Sequence, residues 1–108
     1  MKLLLRNLSL VAALVAIACT LSFAAESGEG VYKAKCASCH GVDGKGQTAI
    51  GKRLNIKDLA SSDVQNKHDS EIKLLIQDGK GKMPAYKSKL TDEQIENLVV
   101  YIRSLKEK

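Results

Sequence analysis

The run Cys36-Ala37-Ser38-Cys39-His40 holds two thiols three residues apart, with an imidazole directly after the second thiol. This is the spacing at which a c-type haem is attached to a polypeptide. Cys36 and Cys39 can add across the two vinyl groups of a haem, and His40 can then bind the iron from one side. The pentapeptide therefore predicts one covalently held haem c.

The second axial ligand of the iron is expected to be Met83. It lies in the loop Gly79-Lys80-Gly81-Lys82-Met83-Pro84, where glycines let the backbone approach a flat ligand and proline stiffens the chain. Lysine, glycine and proline are poor neighbours for a core methionine. The other candidate ligand, His68, lies among polar residues and is expected to be an exposed histidine at the start of a helix.

Three other uses of the two thiols remain open from the residues alone. A thioredoxin-like redox pair would need a βαβ context with Cys36 at a helix N-terminus, whereas a helical pattern precedes this motif. A structural zinc site would need a fourth ligand, for which only His68 is available. A structural disulfide between Cys36 and Cys39 is the third alternative.

The first 24 residues read as a cleaved signal peptide. Lys2 and Arg6 give a positive start, residues 8–23 are almost continuously apolar, and Ser22-Phe23-Ala24 fits a small-x-small cleavage site. Cleavage after Ala24 predicts a mature domain over residues 25–108 in the periplasm, and a cut after residue 25 is the alternative.

This segment has two other interpretations. An uncleaved membrane anchor is disfavoured because the apolar run is short for a span of roughly 20 residues. Ala16-Ile17-Ala18-Cys19 weakly resembles a lipoprotein signal, in which Cys19 would carry lipid. Otherwise Cys19 leaves with the signal peptide, and the mature chain in an oxidising compartment has no odd thiol.

Composition limits the size of the core and the kind of partner. The mature domain has no tryptophan or phenylalanine and only three tyrosines, so a side-chain core of this size is marginal and a large apolar prosthetic group would enlarge it. Loss of Lys2 and Arg6 takes the formal charge from +5 to +3. That charge is too small to predict nucleic-acid binding.

Periodicity predicts helices and no confident strand. One helix is expected to run from residue 31 into the Cys-x-x-Cys-His motif, followed by a loop over residues 41–52, an irregular segment and a short turn near residues 63–67. The next helix is expected to be capped by Asp69 or Ser70 and to end at Gly79. Thr91 and Gln94 predict a capping box for the last helix, whose apolar stripe is Ile95, Leu98, Val99, Ile102 and Leu105.

These motifs, in this order, resemble the short, soluble class I c-type cytochromes of bacteria, and the resemblance covers residues 26–106. It implies an all-α cytochrome c fold with three to five helices around one covalent haem. In that family a glycine of the first helix meets an aromatic residue of the last where the two helices cross, beside a second aromatic residue. Gly28, Tyr32 and Tyr101 match those positions, with Gly30 as an alternative to Gly28.

One feature of the family is missing from this chain. Many relatives have a proline after the haem motif whose carbonyl accepts the N–H of the proximal histidine, but Pro84 is the only proline here. Another carbonyl, near residues 52–55, is therefore expected to orient His40. Lys52 or Arg53 is a candidate to pair with a haem propionate.

The resemblance implies an electron-transfer protein rather than an enzyme, a periplasmic monomer that shuttles single electrons between larger redox proteins. Lys80, Lys82, Lys87 and Lys89 flank Met83 and either steer docking to acidic patches on a partner or simply keep a loop solvated. No nucleic-acid partner is expected, and membrane contact only through a partner or a lipidated Cys19. Two alternatives stay open: a haem-based gas sensor with a displaceable Met83, and a tightly bound subunit through which electrons enter an oxidase or dehydrogenase.

Overall fold

The computed structural model describes residues 27–107, which form helices joined by loops. The helices are α1 (Gly28–Lys35), α2 (Ala37–His40), α3 (Ala49–Leu54), α4 (Ser62–Gln65), α5 (Asp69–Asp78) and α6 (Asp92–Ser104), followed by a 3-10 turn over Leu105–Glu107. Within this part of the chain no β-strand is present, only one isolated antiparallel bridge between Lys80 and Met83. The all-α prediction is confirmed, and α1, α3, α5 and α6 are the helices longer than one turn.

The predicted signal peptide (1–24), its alternative cut after residue 25, and Cys19 all lie outside the described residues. Between residues 27 and 107, no helix has the length and apolar character needed to cross a bilayer.

The last helix, α6, follows the sequence pattern closely. Thr91 accepts a hydrogen bond from the amide of Gln94 at 3.1 Å, and the Gln94 side chain accepts one from the amide of Thr91 at 2.8 Å. This capping box satisfies two amide groups at the start of the helix. The predicted apolar stripe of α6 is buried and forms the centre of the core, together with residues of α1, α5 and two loops: Val31, Tyr32, Leu59, Ile72, Ile76 and Leu90.

Helices α1 and α6 approach most closely at Gly28. A Cβ atom on Gly28 would lie 2.2 Å from the carbonyl oxygen of Asn97 and 3.2 Å from the Cβ of Tyr101. Beside this contact the ring centroids of Tyr32 and Tyr101 are 5.0 Å apart and the rings are tilted by 48°. This distance is typical of favourable aromatic pairs. Gly28, rather than Gly30, therefore occupies the close contact that the family resemblance predicted.

Two local predictions were wrong. The segment expected to be a loop as far as residue 52 contains α3, which begins after Thr48, whose hydroxyl accepts the amide of Gly51 at 2.8 Å. The N-cap of α5 is His68, not Asp69 or Ser70. Asp69 is already helical, and its carboxylate instead accepts a hydrogen bond from Nε of Arg103 at 2.8 Å.

Arg103 joins the middle of the chain to α6. Its Nη1 donates to the carbonyl of Gln65 at 2.7 Å, and its Nη2 donates to the carbonyl of Lys67. These carbonyls lie at the end of α4 and in the turn before α5, where helical backbone partners are lacking. One guanidinium therefore fixes α4 and the start of α5 against α6.

Candidate functional site

The Cys-x-x-Cys-His motif is a single helical turn that directly follows α1. The amide of His40 donates to the carbonyl of Cys36 at 3.0 Å, and the amide of Gly41 donates to that of Ala37 at 2.8 Å. Residues three and four apart on a helical turn share a face. The turn therefore presents Cys36, Cys39 and His40 to the same side, as attachment to one flat ligand requires.

The carbonyls at the end of this turn are satisfied by groups from elsewhere. Thr48 Oγ1 donates to the carbonyl of Cys39 at 2.7 Å, the amide of Gly46 donates to that of His40 at 2.7 Å, and the Tyr32 hydroxyl donates to that of Gly41 at 2.6 Å. Because the last carbonyls of a helix have no intrahelical partner, these three donors hold the motif in place. Thr48 was missed in the sequence, because Ala49, Ile50 and Gly51 after it give no clear helical pattern.

The loop that carries Met83 is closed by its own backbone. Lys80 and Met83 exchange two hydrogen bonds, at 3.1 Å and 3.0 Å. Gly79 has φ +69°, and a Cβ there would lie 2.5 Å from the Met83 carbonyl oxygen. Only glycine accepts both that backbone angle and that close approach. The Met83 segment is therefore seated tightly on the end of α5.

His40 and Met83 face two adjoining cavities that both of them line, together with Cys36, Ile56 and Tyr86. The inner cavity has a volume of about 180 Å³ and is walled by apolar side chains of α5 and α6, among them Ile72, Ile76, Leu98 and Ile102. The outer cavity, about 240 Å³, adds Cys39, Leu54, Pro84 and three lysines. Apolar walls with a few polar groups are typical of sites that bury a small-molecule cofactor.

The His40 imidazole is suited to a metal rather than to a proton. Its Nδ1 is buried and has no hydrogen-bond partner among the described residues. Burial lowers the pKa of His40 below its ordinary value, so the ring is neutral near pH 7, and a neutral imidazole is the form that binds iron. The acceptor expected near residues 52–55 is therefore not seen.

The thiols do not resemble a redox pair. Both are free, and burial, followed by the neighbouring Cys39, raises the pKa of Cys36 to about 11. A reactive dithiol lowers the pKa of its attacking cysteine instead. Within residues 27–107 no cluster of three histidine, cysteine or acidic side chains could hold a metal ion. Exposed His68, at the start of α5, lines neither cavity.

The residues present fit a covalent haem. Two free thiols and a neutral imidazole stand on one turn, a thioether faces the same space, and the space between them is apolar. Lys52 and Arg53 are exposed on α3 and line neither cavity, whereas Lys57 and Lys67 line the inner one. Sequence reasoning missed Lys67, Ile56 and Tyr86 as lining residues, because no local pattern marks them.

An all-α domain with these groups around one apolar cavity has the architecture of a c-type cytochrome. The family model described as cytochrome c oxidase, cbb3-type, subunit III, matches residues 23–102. The solved structure of KustC0563 c-type cytochrome superimposes with a TM-score of 0.70 at 34% identity, covering 75% of this chain and 99% of that one.

Curated sequence relatives of the chain include further c-type cytochromes. Cytochrome c6 of Gloeothece citriformis (strain PCC 7424) is 37% identical over 92 residues, which cover 81% of this chain and 78% of the relative. Cytochrome c6 of Pyropia yezoensis is 38% identical over 90 residues, covering 82% and 79%. Subunit CcoP of the cbb3-type cytochrome c oxidase of Azospirillum brasilense is 33% identical over 84 residues, which cover 76% of this chain but 28% of that protein.

The chain belongs to the c-type cytochrome family. It is a small class I cytochrome with one covalent haem c, and it is an electron-transfer protein rather than an enzyme. The predictions of fold, cofactor and electron transfer are confirmed.

Proposed function

We propose that this cytochrome is a single-electron carrier whose haem is held by Cys36 and Cys39 as thioethers, with His40 and Met83 as the axial iron ligands. The observation that carries the proposal is that Cys36, His40 and Met83 line the same two adjoining cavities although Met83 is far from the motif in sequence. When bound, the haem supplies a one-electron iron couple.

The four residues have separate roles in this proposal. The thiols anchor the porphyrin edge, and the neutral His40 ring provides a strong nitrogen ligand. The Met83 thioether favours reduced iron and raises the reduction potential relative to a second imidazole. With both axial positions taken by the protein, small gases and peroxide have no resting site, which suits electron transfer at a haem edge.

The alternatives are less well supported. A gas sensor needs a Met83 that leaves readily, whereas the paired backbone bonds with Lys80 and the contact with Gly79 hold this segment closed. A tightly bound oxidase subunit is suggested by the likeness to subunit CcoP, of which this chain covers 28%, against 78% of a cytochrome c6. These proportions favour a separate carrier.

We propose further that the chain is exported to the periplasm by a signal peptide over residues 1–24, and that it works there as a monomer. The support is the charged start, the apolar run and the small-x-small site of the sequence.

The partner is proposed to present an acidic surface. Lys35, Lys80 and Lys82 line the outer cavity, and none of the described residues that line it is acidic. Between residues 27 and 107 the ion pairs of basic side chains involve Lys33, Lys57, Lys73 and Arg103, and none of these lines the outer cavity. Unpaired lysines around an apolar opening favour an anionic protein surface.

The ligand set is tested on holoprotein purified from its native compartment. A pyridine haemochrome spectrum and the intact mass should give one haem on a chain that begins at Ala25 or Glu26. The oxidised protein should show the near-infrared sulfur-to-iron band, and the reduced protein should not bind carbon monoxide. Met83→Ala should abolish the band and allow carbon monoxide to bind.

His68→Ala is the matched control, because His68 is the other candidate ligand among the described residues and is exposed. Its spectrum should equal that of the unmodified protein. A mass without haem would overturn the proposal as a whole, and a band that persists in Met83→Ala would exclude Met83 as the ligand.

A further inference from the structure

Tyr86 lies three residues beyond Met83 and makes a contact that crosses the site. Its hydroxyl donates a hydrogen bond of 3.0 Å to the carbonyl oxygen of Lys35. Lys35 is the last residue of α1 and immediately precedes Cys36. One phenol therefore joins the Met83 loop to the point where the haem-attachment turn begins.

The Lys35 carbonyl needs such a donor because it stands at a helix end. The amide of Cys36 bonds to the carbonyl of Tyr32, and the amides of Cys39 and His40 both bond to that of Cys36. These backbone bonds do not include the carbonyl of Lys35. It is one of the terminal carbonyls that a helix leaves without an internal partner. Tyr86 supplies the missing donor from across the cavity.

The other hydrogen bonds of the Met83 loop lead elsewhere. The amide of Tyr86 donates to the carbonyl of Ile76 at 3.0 Å, and the amide of Lys87 donates to that of Gln77 at 3.1 Å. The bonds between Lys80 and Met83 stay within the loop. Among the described residues, the hydrogen bond of residues 80–87 that reaches α1 is therefore the one from the Tyr86 hydroxyl.

The ring of Tyr86 makes contacts that do not depend on its hydroxyl. It lines both cavities, and the Nζ of Lys89 lies 5.5 Å from the ring centroid, within the range of a cation–π contact. A change that removes only the hydroxyl leaves the ring to fill its space, so that the bond can be tested without creating a cavity.

We propose that Tyr86 is a positioning residue whose hydroxyl latches the Met83 loop to the end of α1 and thereby limits how often Met83 leaves the iron. The inference rests on the proposed axial role of Met83. Opening the loop away from the cavity separates residues 80–87 from α1, and the Tyr86–Lys35 hydrogen bond must break in that step. The bonds to α5 survive the same movement and act as its hinge.

The test is Tyr86→Phe in the haem-loaded protein, with imidazole as the competing ligand of the oxidised iron. Loss of the sulfur-to-iron band reports the displacement of Met83, and its rate at saturating imidazole reports loop opening. One partly exposed hydrogen bond corresponds to about a 2- to 10-fold change in an equilibrium. Tyr86→Phe should therefore raise the opening rate, or the apparent imidazole affinity, by about 2- to 10-fold.

Ser104→Ala is the control, since it also removes a hydroxyl bonded to a backbone carbonyl, here that of Tyr101, but Ser104 lines neither cavity and has no bond to residues 80–87. It should leave imidazole displacement unchanged. Hydrogen exchange of the Met83 amide, which is bonded to the Lys80 carbonyl, gives a second readout and should quicken in Tyr86→Phe relative to the most protected core amides.

Equal imidazole displacement and equal Met83 exchange in Tyr86→Phe and the unmodified protein would overturn the latch. So would a fall in unfolding free energy alone, which would mark the bond as merely structural. Absence of the sulfur-to-iron band in the unmodified protein is a different result, because it would contradict Met83 ligation itself.

Discussion

The hydroxyl of Tyr32 is buried in the core and donates to the carbonyl of Gly41, the residue that ends the haem-attachment turn. Burial raises the pKa of Tyr32 far above its ordinary value. The folded chain therefore holds this proton more tightly than the unfolded chain, whose tyrosines titrate near pH 10. The Tyr32 hydroxyl stabilises the fold fully below about pH 10, and that contribution falls as the pH rises further.

Tyr32→Phe should accordingly change both the level and the pH dependence of stability. At pH 7 the variant should lose about 1–3 kcal/mol of unfolding free energy, because the buried Gly41 carbonyl is left without its donor. Above about pH 10 its stability should fall less steeply than that of the unmodified protein. Denaturant unfolding followed by circular dichroism between pH 7 and 11 measures both; parallel pH profiles would contradict the assignment.

The residues proposed to hold the haem were predicted from the sequence, whereas the residues that position them in the structure were not. Covalent attachment fixes the spacing of Cys36, Cys39 and His40, so that the motif is recognisable in the sequence. Met83 is recognisable because its neighbours are unsuited to a core. The roles of Thr48 and Tyr86 depend on carbonyls 9 and 51 residues away. No local pattern encodes such contacts, because they exist only once the chain has folded.

The helices also differed in how well the sequence predicted them. α6 was predicted with its cap and buried stripe because it is long and periodic. α3 was missed because its six residues include a glycine and show no clear period. A Cβ on that glycine, Gly51, would lie 2.3 Å from the Gly46 carbonyl oxygen and 2.8 Å from that of Cys39. Tertiary contact with the attachment turn, rather than helix propensity, therefore stabilises α3.

At the contact of α1 with α6, Gly28→Ala should be strongly destabilising. The new Cβ would lie 2.2 Å from the Asn97 carbonyl oxygen, so one helix must shift. Overpacking of this kind costs about 1–3 kcal/mol, and a backbone obstacle puts the expected loss at or above the upper end. Thermal unfolding of the haem-loaded protein measures it.

Gly30→Ala is the control for that prediction. Residue 30 lies about 200° around the helix from residue 28, and alanine is favoured over glycine inside a helix by about 1 kcal/mol. Its unfolding temperature should be unchanged or higher. A larger loss at residue 30 than at residue 28 would mean that Gly30 occupies the contact.

On the scale of the whole molecule, apolar and charged side chains both line the two cavities. The buried core and the inner cavity are walled by the same residues of α5 and α6, so a bound haem completes the core of a domain with few aromatic side chains. Lys35, Lys80 and Lys82 line the outer cavity, beside Leu54 and Pro84, and Lys57 and Lys67 line the inner one. The outer cavity is therefore both positive and partly apolar, which is the arrangement that a transient docking surface needs.

Reversing two of these charges should slow reaction with an anionic redox partner. Lys80→Glu with Lys82→Glu should reduce the rate of electron transfer with hexacyanoferrate by about 10-fold or more at 10 mM ionic strength, where charges act over roughly 30 Å. The effect should nearly vanish at 1 M salt, where screening shortens that range to about 3 Å. Lys45→Glu with Lys106→Glu is the control, because it makes the same change in net charge at exposed residues that do not line the outer cavity. If both pairs slow the reaction equally, net charge alone steers the encounter and the docking surface is disproved; if only the first pair does, the opening beside Met83 is where electrons pass.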